Sequence, residues 1–193
     1  MRKMIMLLAL GAILSAGSAS AILDDGVNSL GVYFDQGVWE ANCLDYTPSV
    51  PFDMYFVLAN CAQASIGGFE FSWFFNPDYA GQYFNLGTIL PPGGLNIGDA
   101  NNLIVGLGEP YATSEATVLV VFTMMFLTPG LVSEVVAGPA NPASIPGHPA
   151  FNDGADVSLL FPMTFSTYWP GGGQDVNDEG FIAVGSIGCP GPV

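Results

Sequence analysis

Basic side chains are almost missing from this chain. Its 193 residues hold seventeen Asp and Glu but only two bases, Arg2 and Lys3, for a formal net charge of -15. Nothing beyond residue 3 can neutralise phosphate, so nucleic-acid binding is excluded. A P-loop lysine, a Schiff-base lysine and an arginine clamp are excluded with it. One histidine, His148, cannot build a multi-histidine metal centre. Gly185-Ser186-Ile187-Gly188 lacks the first glycine of a nucleophile elbow, and neither Gly106-Leu107-Gly108 nor Gly171-Gly172-Gly173 extends to a dinucleotide fingerprint. With no nucleophile beside a base, the chain reads as a non-enzyme. Long apolar runs are lacking too. The longest, residues 116–127, is well short of the roughly 20 residues of a spanning helix, so no membrane span is expected.

The first residues have the export pattern. Met1-Arg2-Lys3 is a short basic start, residues 4–14 are apolar, and Ala19-Ser20-Ala21 offers small residues for cleavage. The expected division is a signal peptide over 1–21, one domain over 22–187 and a Gly/Pro-rich tail over 188–193. Cleavage after Ala21 would leave an acidic secreted protein (extracellular, cell-surface or periplasmic) of 193 − 21 = 172 residues, with all seventeen acids and no base. Of its three cysteines, Cys43, Cys61 and Cys189, two are expected to pair in an oxidising compartment. Cys43–Cys61 is preferred for closeness in sequence over a partner in the Gly/Pro tail.

Glycine (25) and proline (15) punctuate the chain, and the short segments between them are rich in Val, Phe, Tyr and Ile. That composition predicts an all-β domain: about nine strands in a single antiparallel β-sandwich. The clearest signal is Phe69, Phe71, Trp73 and Phe75 alternating with Glu70, Ser72 and Phe74. Period two places the four rings on a core and turns Glu70 and Ser72 outward. Residues 116–127 are apolar on both faces and predict a central strand covered on both sides or a barrel-like stave. Residues 138–154 hold Pro139, Pro142, Pro146 and Pro149 and predict a long loop.

Two constellations suggest ligands. Trp39, Tyr79, Tyr83 and Trp169 lie in or beside predicted loops, and coplanar rings there would stack on sugar faces; capping the core is the competing fate. Asp175, Asn177 and Glu179, followed by Gly180, resemble the first half of a calcium loop, although Ser186 replaces the closing bidentate Glu. Ca2+ is thus the one cofactor suggested. The partner expected is an extracellular protein or a glycan.

The run Ile66-Gly67-Gly68-Phe69-Glu70-Phe71-Ser72, leading through aromatics into Asn76-Pro77-Asp78, resembles the strand-and-loop signature of cohesin-like β-sandwiches, shared by related carbohydrate-binding modules. The likeness extends over about residues 50–137. Gly31 to Asp35 and Gly188-Cys189-Pro190 also resemble segments of uncharacterised secreted bacterial proteins. The resemblance implies an immunoglobulin-like or cohesin-like sandwich used for binding, and supplies no contact residue.

Overall fold

The computed structural model describes residues 23–166 and 179–189. Among them every regular element is a strand: β1 (Ser29–Tyr33), β2 (Cys43–Leu44), β3 (Phe52–Ala59), β4 (Ser65–Asn76), β5 (Tyr83–Ile89), β6 (Gly94–Asn96), β7 (Asn102–Ala112), β8 (Ala116–Phe126), β9 (Ser133–Gly138), β10 (Ala150–Asp153), β11 (Leu160–Pro162), β12 (Thr164–Phe165) and β13 (Ile182–Ile187). No helix among the described residues is long and apolar enough to cross a membrane. One sheet runs β12-β1-β3-β8-β5; the other runs β11-β10-β4-β9-β13-β2, with β7 also on β4 and β6 on β7. Both sheets are mixed, because β12 joins β1 and β2 joins β13 in parallel while the other pairs are antiparallel.

The alternation along β4 sets the core. Phe69, Phe71, Trp73 and Phe75 are all buried. They meet rings of the first sheet: Phe71 lies 4.9 Å from Phe56, Trp73 4.8 Å from Phe122 and Phe75 5.3 Å from Phe126. The two inner faces thus share one apolar cluster, to which Leu30, Met54, Leu119, Val135, Phe151 and Val184 also belong. Strand β8 departs from expectation. Its inward residues are buried, but the outward Val118, Val121, Thr123 and Met125 are only partly covered.

Three further features differ from the sequence reading. Glu70 does point away from the aromatic core, yet it is buried, at 7% exposure. The cause is a strand interruption. Ser72 pairs with Asn102 on one edge of β4 and with Gly138 on the other, while Glu70 pairs with Ile104 and Ala150. Strands β9 and β10 therefore lie end to end along one edge, and residues 139–149 leave that line as a loop. Ser144 of this loop donates to Glu70 from its backbone N (2.5 Å) and from its hydroxyl (2.8 Å).

The second difference is the disulfide. Cys43 pairs with Cys189 across a Cα–Cα distance of 5.6 Å, and the thiol of Cys61 is free. Strand β2 sets Cys43 opposite Ser186 of β13, and Gly188 N donates to the Leu44 carbonyl at 2.8 Å, which delivers Cys189 to Cys43. Cys61 follows the end of β3 in the opposite sheet, so nearness in sequence was misleading. The bond points to an oxidising environment.

The third is strand number. Thirteen strands stand among the described residues where about nine were expected; those missed include the two-residue β2 and also β10, which occupies the end of the stretch 138–154 expected to be a loop throughout.

Candidate functional site

An antiparallel sheet that faces water on one side carries mainly polar residues there. The outer face of the second sheet does not. From edge to edge it presents Leu95 and Ile97 around β6, Ile104 and Gly106 on β7, Gly68 and Glu70 on β4, Ala150 and Asn152 on β10, and Leu160 on β11; the cross-strand pairs Leu95–Gly106, Gly68–Gly106, Asn152–Gly68 and Asn152–Leu160 fix this order. Leu95 (66%), Ile97 (73%) and Leu160 (47%) are strongly exposed. Two facing glycines in mid-sheet leave no side chains between these walls. The result is a hollow of about 230 Å3 lined by Gly68, Glu70, Ile97, Ile104, Gly106, Ser144, Asn152 and Leu160, among others.

The polar atoms around Glu70 share one character. The Glu70 carboxylate accepts two hydrogen bonds from Ser144 and has lone pairs left. Once its hydrogen is given to Glu70, the Ser144 hydroxyl oxygen can only accept. Asn152 donates its amide to the Val157 carbonyl at 3.4 Å, while its Oδ1 is buried and accepts nothing. Glu70 and Ser144 therefore offer acceptors toward the hollow, while Asn152 keeps its oxygen covered. A buried carboxylate usually has a cationic partner. Here neutral donors hold it, because no Lys or Arg exists beyond residue 3.

The two floor glycines should respond oppositely to substitution. A Cβ on Gly68 would lie 2.5 Å from the Val105 carbonyl oxygen, so the backbone must move, whereas a Cβ on Gly106 meets nothing within 4 Å. Gly68→Ala is expected to destabilise by about 1–3 kcal/mol through overpacking. Gly106→Val, β-branched in a strand with room above it, is expected to be neutral or up to about 1 kcal/mol stabilising. Urea unfolding of the two variants checks the contrast.

Among the described residues, Trp39 does not share a site with Tyr79 and Tyr83. Trp39 sits between β1 and β2 at φ 57°, a left-handed conformation rare for a bulky residue. It packs edge-on against Tyr33 (5.9 Å) and Tyr55 (5.7 Å) on the outer face of the first sheet. There it borders a second hollow, of about 470 Å3, with Leu23, Glu40, Ser114, Glu115 and Ala116. Tyr83 pairs with Phe126, at the other end of β8 from Ala116. Its ring joins the core beside Phe75, and its hydroxyl donates to Asp78. Tyr79 donates to the Val132 carbonyl. Trp169 lies outside the described residues, as do Asp175 and Asn177; Glu179 is described. Among the described residues no group of three or more His, Cys, Asp or Glu side chains is placed to hold a metal ion.

The Tyr33 cluster carries a pH dependence. Burial, and then the nearby charge of Asp24, push the Tyr33 phenol above its ordinary value of 10.0, although the backbone N–H of Asp24 opposes them. Burial acts first on Tyr55 and Tyr83 as well, with Asp53 and Asp78 adding to it, and burial also raises the Cys61 thiol above 9.0. In each case the folded state favours the neutral, protonated form. That contribution is complete below the unfolded pKa and is lost as pH rises through the folded one. Stability is therefore expected to fall above about pH 10, with phenolate absorbance appearing together with unfolding. Phenolate absorbance that rises fully before any unfolding would contradict this.

A scan against protein-family models finds no match, and comparison with curated protein sequences finds no relative. The site thus stands on its own geometry.

Proposed function

We propose that the chain is a non-catalytic, secreted β-sandwich interaction module, and that the outer face of its second sheet receives a segment of an extracellular partner protein. One observation carries this reading: a sheet face that would ordinarily be polar is apolar and hollowed over two glycines. Binding is also the use implied by the resemblance to cohesin-like sandwiches. The domain would be presented without catalytic groups, by a chain whose disulfide suits an oxidising exterior.

Glycan recognition is the second reading. It is favoured by the hollow that sets Trp39 beside Glu40 and Glu115, joining a ring to hydrogen-bond acceptors. Calcium bound through Asp175, Asn177 and Glu179 would belong to this reading as a structural ion.

Selection from a displayed random-peptide library, run beside retention on insoluble polysaccharides, separates the two. The expected result is a set of peptides that bind the parent protein and are lost on Gly106→Val, with no polysaccharide retention. Polysaccharide retention abolished by Trp39→Ala, with no peptide lost on Gly106→Val, would overturn the preferred reading in favour of the second.

A further inference from the structure

We propose that the hollow on the second sheet takes a lysine side chain of the partner protein; this rests on the reading of that face as the binding face. The walls and the floor ask for different chemistry. Ile97, Ile104 and Leu160 suit an aliphatic stem, and Gly106 leaves the space above it open. At the floor, the polar side chains of Glu70 and Ser144 both have acceptor capacity to spare. A ligand that fits must therefore be apolar along its length and a donor at its tip. A lysine has that form, four methylenes ending in three N–H donors.

Charge points the same way. The protein carries a net -15 and has no Lys or Arg of its own beyond residue 3. Its field attracts a basic partner and repels an acidic one. The choice of lysine over arginine follows from how Glu70 is already used. Ser144 N donates to one carboxylate oxygen and Ser144 Oγ to the other, so a guanidinium fork seeking both oxygens would have to share each of them with a donor already in place. A compact ammonium needs only one remaining lone pair, and the Ser144 oxygen lies beside it.

The test is a titration of the disulfide-bonded, 15N-labelled protein, followed by NMR, with three blocked amino acids: N-acetyl-lysine methylamide, the arginine equivalent and the norleucine equivalent. Norleucine keeps an aliphatic stem and lacks the ammonium. The expected result is saturable shifts at Gly68, Glu70, Gly106 and Asn152 with the lysine probe, weaker ones with arginine and none with norleucine. Glu70→Gln keeps an acceptor for Ser144 N and a donor for its hydroxyl, so the loop stays in place. It is expected to weaken lysine binding about tenfold, as befits a lost charge-assisted bond. Gly106→Val, which fills the hollow without touching Glu70, is expected to abolish the shifts. Equal response to lysine and norleucine, tighter binding of arginine, or unchanged affinity in Glu70→Gln would overturn the lysine assignment while the face kept its role. Shifts scattered over loop carboxylates, no shifts with any probe, or binding untouched by Gly106→Val would overturn the lysine assignment and the face together.

Discussion

Replacing Cys43 and Cys189 with alanine is expected to cost the fold about 5 kcal/mol, because the bond spans a sequence separation of 146 residues and the chain-entropy cost of so wide a loop is large. The cost falls on the unfolded chain, which regains the freedom the bridge removes. Within the folded molecule the bridge fastens β2, a two-residue edge strand, beside β13. Denaturant titration with and without a thiol reductant measures the difference. Cys61→Ala is the control and should change stability far less, since its thiol bridges nothing. A loss below about 1 kcal/mol on removing the bridge would mean that the denatured chain stays compact without it, so that the bond removes little of its freedom.

Truncating the ring that joins the two sheets is the other large effect. Phe56 and Phe71 are fully buried, on opposite sheets, with centroids 4.9 Å apart. Phe71→Ala should destabilise by about 3–5 kcal/mol, from lost burial and the cavity left behind. For a domain whose total stability is of order 5–15 kcal/mol, that leaves a marginal fold. Phe56→Ala should behave alike, and the double substitution should cost less than the sum, since each ring packs on the other. Additive losses would show that the rings do not share a contact, and with it would fall the face-to-face packing of the sheets.

The core was readable because period two along β4 names the inward residues whatever the rest of the chain does. The same rule gave the direction of Glu70 but not its burial. What covers Glu70 is Ser144, seventy-four residues later, and no local pattern reports a contact of that range. The disulfide failed for a related reason. Pairing Cys43 with Cys189 requires the parallel contact of β2 with β13, and two-residue strands leave no periodic trace. The hollow was half legible. Glycine inside a strand signals a bulge, a close approach or a bare floor. Gly68 and Gly106 were each visible, but their pairing across β4 and β7 was not. The aromatics misdirected in the opposite sense: ring chemistry suggested a shared platform, while the structure places Trp39 on the outer face of the first sheet and seats Tyr83 in the core.

The proposal that partners dock on the second sheet, and not at the loop aromatics, is tested most directly by one comparison. A lysine-bearing peptide selected on the parent protein is titrated by calorimetry against Gly106→Val and Trp39→Ala, both confirmed as folded. The expected result is loss of binding in Gly106→Val and an affinity within about twofold of the parent in Trp39→Ala, whose ring lies on the other sheet. Binding retained in Gly106→Val and lost in Trp39→Ala would contradict it.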